Sequence, residues 1–255
     1  MIKNFINALQ FLTIVTVSKR HPVAEGDLAK SMLYFPVVGF LIGVLLNYSD
    51  KALLWVFPHT ITNVFLLFIS VIITRALHID GLADTLDGLM GGHDKASRLR
   101  IMKDSRLGTA GVLGIVFILL VKYLSLNNLF SDDKAAALLC APMLARWSQT
   151  LMVFKSNYGR EEGMGSAFVG HLRVSGFTAV SALTVGLAAF VIVREELFTK
   201  VLTFAVVCGV VLLTLLSRWY FIRRLGGVTG DTIGAVSELN EVLVLLLFVI
   251  ASSGG

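Results

Sequence analysis

Charged side chains are what this sequence has least of. They make up 15% of its 255 residues, against 56% hydrophobic ones, and the mean hydropathy is +0.80. An ordinary soluble domain carries about 25% charged residues. A disordered chain has low hydrophobicity and high charge. Both classes are excluded, and the expected class is an all-α, polytopic integral membrane helical bundle. Cysteine is equally scarce. Cys140 and Cys208 stand alone in apolar runs with no CxxC or CxxH spacing, so they read as small core residues. No cleavable signal peptide is expected: Asn4, Asn7 and Gln10 interrupt the apolar N-terminal stretch, and no small-residue cleavage site follows. No internal repeat is apparent and no boundary splits the chain, so residues 1–255 are expected to form one integral membrane domain.

Apolar runs place about seven transmembrane helices, at 31–49, 60–78, 107–126, 135–154, 174–193, 200–221 and 232–250. Pro36, Gly39 and Gly43 in the first allow close packing or a kink. Residues 3–17 are amphipathic but too short to span, and are expected to form an interfacial or re-entrant helix. The second span is expected to run on as helix into 79–106, with a break at Gly91-Gly92.

The net charge of +5 suggests nucleic acid at first sight, but its positions explain it better as membrane topology. With loops assigned alternately to two sides, fifteen of the 22 Lys and Arg fall on one side. That side carries the N-terminus and loops 18–30, 79–106, 155–173 and 218–231. Five fall on the other: Lys51, Lys122, Lys134, Arg194 and Lys200, while Arg75 and Arg146 lie within spans. The positive-inside rule makes the rich side cytoplasmic. The expected location is the cell inner membrane, with the N-terminus and the polar motif loops in the cytosol. No nucleic-acid partner is expected, and the lipid bilayer is.

The long polar passage is His78 to Gly111. Asp80, Asp84 and Asp87 sit at i, i+4 and i+7, which places three carboxylates on one helix face. Unpaired like charges repel, and a divalent cation is the simplest group to hold them. Mg²⁺ suits carboxylate oxygens together with waters and substrate phosphates. Lys95, Arg98, Arg100, Lys103 and Arg106 follow, a mixture that suits a phosphorylated anion bridged to metal. The alternative is a solvated face paired with these cations, but ionisable groups beside a membrane span are rarely idle. Lys103 and Arg106 beside Asp104 suit an oxyanion or pyrophosphate clamp, or simple cytoplasmic anchoring. His78 reads as a general base, a metal ligand or an interfacial hydrogen-bonded residue.

A second acidic group is Asp231, Glu238 and Glu241, roughly on one helix face. Glu238 and Glu241 fall inside an apolar span, so they should face the bundle interior. Two roles stay open: an ion pair with Arg75 or Arg146, or contact with substrate. Ahead of them, Gly226-Gly227-Val228-Thr229-Gly230-Asp231 suits a phosphate cradle at a helix N-terminus, or no more than turns. The Gly159–Gly165 stretch, with Arg160, Glu161 and Glu162, lies on the same side of the membrane.

Taken in order, four motifs carry a resemblance. They are His78-x-Asp80-Gly81-Leu82-Ala83-Asp84-x-x-Asp87-Gly88, Met102-Lys103-Asp104-Ser105-Arg106-Leu107-Gly108, Arg160-Glu161-Glu162-Gly163-Met164-Gly165 and Gly226-Gly227-Val228-Thr229-Gly230-Asp231-Thr232-Ile233-Gly234-Ala235. With the Phe11-Leu12-Thr13 opening, they resemble the cobalamin synthase family, the adenosylcobinamide-GDP ribazoletransferases, over nearly the whole chain. The resemblance implies an integral membrane transferase that uses Mg²⁺. It would join adenosylcobinamide-GDP to α-ribazole or its 5′-phosphate, giving adenosylcobalamin or its 5′-phosphate and GMP. On that reading Asp80, Asp84 and Asp87, with Asp104, hold the metal, and Asp84, Asp87 and His78 stand at the chemistry. Lys103 and Arg106 stabilise the leaving phosphate. Arg160, Gly227, Thr229, Gly230, Asp231 and Glu238 contact substrate. A homo-oligomer is left open.

Two rivals share features. A CDP-alcohol phosphotransferase has Asp84-x-x-Asp87-Gly88, but the downstream paired aspartates of that family are absent here. An ion-coupled transporter would use Glu238, Glu241, Arg75 and Arg146 as intramembrane charges.

Overall fold

The computed structural model describes residues 2–17, 25–160, 165–169, 172–192 and 197–253, with backbone alone for 25–27 and 197–200. Glu161 to Met164, and Lys19 and Arg20 of the topology argument, lie outside the described residues. The described chain is helical throughout, with one isolated parallel bridge between Tyr158 and Val228 and no strand.

The helices are α1 (Ile2–Leu12), α2 (Glu25–Ser31), α3 (Phe35–Leu53), α4 (His59–Ile73), α5 (Leu77–Gly91), α6 (Lys95–Ile101), α7 (Thr109–Asn127), α8 (Ser131–Val153), α9 (Val174–Ile192), α10 (Leu197–Leu225) and α11 (Gly230–Ser253). Among the described residues, five segments are long and apolar enough to cross a membrane: Leu28–Leu53, Thr109–Asn127, Val174–Ile192, Val201–Leu225 and Gly230–Ser253. The bent pair α4–α5 makes a sixth if counted as one span.

The expectation of about seven spans changes at two places. The run at 135–154 forms α8, but its composition is less apolar than that of the spans. The reason is its position. α8 packs against α3, α9, α10 and α11, and from Ala141 to Val153 it is buried without a break. Protein rather than lipid surrounds it, so Arg146, Ser148, Gln149 and Thr150 are tolerated there. Gly39 and Gly43 of α3 let it approach closely, as close packing rather than a kink. A Cβ on Gly43 would come within 2.6 Å of the Leu138 carbonyl oxygen.

The second change concerns 60–78, which does not continue straight into the acidic motif. α4 ends at Ile73, and α5 leaves at 86° to it. Arg75 and Ala76 make the corner with φ of 54° and 55°, a conformation that costs energy for residues other than glycine. The corner is fastened from outside: the Arg75 guanidinium donates to the Gln10 and Phe11 carbonyls at the end of α1, and Ile14 N–H donates to the Ile73 carbonyl. Arg75 therefore caps α1 and is no partner for Glu238 or Glu241. The expected break at Gly91-Gly92 is present, and α6 starts anew with a reciprocal Asp94–Ser97 capping box.

Candidate active site

α5 carries the acidic motif and packs between α7 and α11. Small residues set these distances. A Cβ on Gly81 would lie 2.8 Å from the Asp231 carbonyl oxygen, and one on Gly234 3.2 Å from His78 Cα. The crossing of α5 and α11 thus brings the start of the second acidic group against the first.

Spacing alone put Asp80, Asp84 and Asp87 on one face; the structure separates them. Asp80 is exposed, Asp84 half-buried, and both line a cleft of ≈ 370 Å³ with Lys103, Asp104 and Ser105 of the α6–α7 connection. Neither carboxylate accepts a hydrogen bond from a described residue. Asp87 is engaged elsewhere. Its Oδ2 accepts from Gly108 N–H at 2.7 Å and its Oδ1 from Gly111 N–H at 2.8 Å. It therefore satisfies orphan amides at the N-terminus of α7 and complements the helix dipole there.

Asp231 lies in the first turn of α11 and forms an ion pair of 2.5 Å with Arg160. Asp84 stands in the combined field of Asp80, Asp231, Arg160 and Asp87. Arg160 is the one cation in that group, so the carboxylates outnumber it. Lys103 reaches the same cleft, exposed and with no side-chain partner among the described residues. Asp104 is tied to Arg106, which donates through Nε at 3.0 Å and Nη2 at 2.6 Å. Those bonds, with one from the Arg106 backbone N–H, hold the Asp104 carboxyl down to about 2.

The remaining predicted residues differ in their surroundings. Thr229 caps α11: its hydroxyl accepts from Thr232 N–H, and the Thr232 hydroxyl accepts from Thr229 N–H. Gly227 lies against the 157–159 backbone, where a Cβ would come within 2.6 Å of the Asn157 carbonyl oxygen, and the next residue makes the hydrogen bonds: Val228 N–H donates to the Asn157 carbonyl and Gly159 N–H to the Val228 carbonyl. The glycine-rich loop is thus held to the segment after α8 through its backbone. Gly230 opens α11 with free space around it. His78 is buried at 3% exposure, and its Nδ1 has no hydrogen-bond partner among the described residues.

Glu238 lies away from the cleft. Lys122 donates to Glu238 at 2.6 Å and also to Glu241, and Arg146 donates to Glu241 at 2.8 Å. Of the two partners weighed for the span-seven glutamates, Arg146 is present, on Glu241. Lys122, assigned above to a loop on the opposite side, is the residue that was missed. A lysine within the apolar run of α7 was the available signal. Lys134 is likewise buried, against Asp50.

Among the described residues, no three His, Cys, Asp or Glu side chains are grouped closely enough to hold a metal by themselves. The donor set still fits Mg²⁺, which binds through one or two carboxylates and completes its shell with water and substrate phosphate. Asp80 and Asp84, on successive turns and lining the cleft, are the two carboxylates with no described donor that such a shell could use.

Residues 4–249 match the family described as cobalamin-5-phosphate synthase. Among curated proteins, the chain is 40% identical over 252 residues to an adenosylcobinamide-GDP ribazoletransferase of Geotalea daltonii, covering 98% of both. It is 37% identical to that of a Thermoanaerobacter species, again over 98% of both. Against that of Clostridioides difficile it is 34% identical over 96% of both. No solved structure matches. With nearly its whole length aligned, the chain belongs to the cobalamin-5-phosphate synthase family, a family of transferases in cobalamin biosynthesis.

Proposed function

We propose that the protein joins adenosylcobinamide-GDP to α-ribazole or α-ribazole 5′-phosphate, releasing GMP, in a Mg²⁺-dependent step at the cytoplasmic face of the inner membrane. The observation that carries this reading is the pair Asp80 and Asp84, without a hydrogen-bond donor among the described residues and lining a cleft that also holds Lys103, beside the Arg160–Asp231 pair. The relatives' name supplies the two substrates.

The reaction is displacement at a phosphoanhydride. A ribose hydroxyl oxygen forms a bond to the phosphorus on the cobinamide side. The bond from that phosphorus to the bridging oxygen breaks, and GMP leaves with the electron pair. The hydroxyl proton passes to a carboxylate of the cleft or to water. Such transfers ask for positioning and charge neutralisation rather than covalent help. Asp80 and Asp84 would hold a magnesium ion, whose charge would offset that of the diphosphate. Arg160 and Lys103 present positive charge to the phosphate oxygens. The transporter reading loses its instruments here, because Glu238, Glu241 and Arg146 are paired with one another or with Lys122, and Arg75 caps α1.

The test is turnover by purified protein given adenosylcobinamide-GDP and α-ribazole, with and without Mg²⁺. GMP and cobalamin formed together, only with the metal, are the expected result. A folded protein that forms neither overturns the assignment.

A further inference from the structure

The segment that leads to Arg160 is tethered through its backbone. Tyr158 and Val228 form the isolated parallel bridge, closed on both sides by the hydrogen bonds of Val228. Gly159 lies flat against Gly227: a Cβ there would come within 3.1 Å of the Gly227 carbonyl oxygen. Tyr158 and Arg160 flank Gly159, so both side chains start from a backbone already fixed to the loop that opens α11.

The far end of Arg160 is held less completely. Its bonds to α11 and to the end of α6 both leave from Nη2, at 2.5 Å to Asp231 Oδ2 and 3.5 Å to the Met102 carbonyl. Nε is buried and has no hydrogen-bond partner among the described residues. A guanidinium carries its N–H groups in a rigid planar fork, and a grip on one nitrogen does not fix that plane. The Tyr158 phenol stands where a second grip is needed. A Cβ on Gly165 would lie 2.7 Å from Tyr158 Cε2, 3.2 Å from the Tyr158 hydroxyl oxygen and 3.1 Å from Gly230 N, so the phenol end reaches the start of α11. The hydroxyl oxygen is within hydrogen-bonding reach of the Arg160 side chain and of Gly165 N–H. Burial raises the phenol above its ordinary range, so it stays a neutral hydroxyl.

We infer that Tyr158 is a positioning residue for Arg160: its hydroxyl fixes the plane of the guanidinium, which keeps Asp231 on one nitrogen and leaves its other N–H groups to a phosphate beside Asp84. The inference rests on the role proposed above for Arg160 at the phosphate oxygens. Tyr158 itself touches no reacting atom and acts through Arg160. A base or nucleophile at this position would have to ionise, which burial opposes. A ring needed only for packing would leave its oxygen idle, whereas this one lies in the fields of both Arg160 and Asp231.

The experiment is a double-mutant cycle in steady-state kinetics with adenosylcobinamide-GDP, α-ribazole and Mg²⁺. It compares the wild type, Tyr158→Phe, Arg160→Gln and the double variant. Phenylalanine keeps the ring in its packing and removes only the oxygen, so the melting temperature in detergent should be that of the wild type. Tyr158→Phe should lower kcat/KM for adenosylcobinamide-GDP by about 10-fold, the scale of one hydrogen bond to a charged group. KM for α-ribazole should not move. In the Arg160→Gln background the same change should cost about twofold or less, because no guanidinium is left to hold. Equal losses in the two backgrounds, as a merely structural hydroxyl would give, or no loss in Tyr158→Phe, would overturn this inference while leaving the reaction in place. A wild-type protein that forms no cobalamin would instead overturn the reaction, and this inference with it.

Discussion

Arg160 and Asp231 come from the segment after α8 and the first turn of α11, 71 residues apart, and meet in an ion pair of 2.5 Å beside Asp84. The pair leaves the neighbouring carboxylates with a single cation among them. Removing Arg160 takes away both that balance and a bidentate group for phosphate oxygens. Arg160→Gln should lower kcat/KM by about 100-fold or more, as loss of one charged stabilising contact does elsewhere. Arg160→Lys should recover only part, since a point charge does not replace the fork. Steady-state kinetics on the three proteins decide it; full activity in Arg160→Gln would remove the residue from the site.

The three motif aspartates should separate in their effects. Asp80→Asn and Asp84→Asn should cut turnover by about 1,000-fold or more if they carry the metal, with the melting temperature in detergent unchanged or raised as repulsion is relieved. Asp87→Asn should instead destabilise the protein by about 0.5–2 kcal/mol, because Asp87 caps α7 through Gly108 and Gly111. Thermal unfolding followed by circular dichroism separates the two classes. An unchanged melting temperature in Asp87→Asn would contradict the cap.

Lys122 holds Glu238 and Glu241 in the bundle interior. Lys122→Met leaves an uncompensated buried charge and should cost about 3–5 kcal/mol. The double variant Lys122→Met with Glu238→Gln should recover part of that loss, since one charge of each sign is then gone. Midpoints of unfolding for the single and double variants check this, and no recovery would mean that the two side chains act independently.

The Asp104–Arg106 pair has a definite sign of pH dependence. Arg106 holds the Asp104 carboxyl at about 2, below its ordinary range, so Asp104 is ionised throughout the neutral region. The contribution of the pair is present above the ordinary carboxylate range and is lost only as pH falls towards that value. Between about pH 5 and 9, Asp104 should give the activity profile no limb. Arg106→Gln should change the height of the profile and not its shape. A displaced acid limb in that variant would show that Asp104 titrates during turnover.

Much of this architecture was legible beforehand. Hydropathy depends on composition over a window, so the apolar helices appear near their expected places. Gly91-Gly92 breaks a helix for local reasons, and the break is there. The 86° corner at Arg75 and Ala76 was not legible, because it rests on contacts with α1 more than 60 residues away. α8 falls short of the composition of a lipid-facing span for a related reason, since a helix enclosed by protein does not need the apolar surface that lipid demands.

At the site the division is sharper. The i, i+4, i+7 spacing settled that Asp80, Asp84 and Asp87 share a face of α5, since helical periodicity is a local property. Which of them remains free was decided by tertiary packing. α7 starts where its amides meet Asp87, and α11 crosses at Gly81 so that Asp231 arrives beside Asp84. Glu238 found its partner in Lys122, 116 residues distant, because burial leaves a charge no water to turn to and the nearest opposite charge lies on a neighbouring helix. Spacing along one helix determines what shares a face, whereas the angle and depth at which helices cross determine what that face meets.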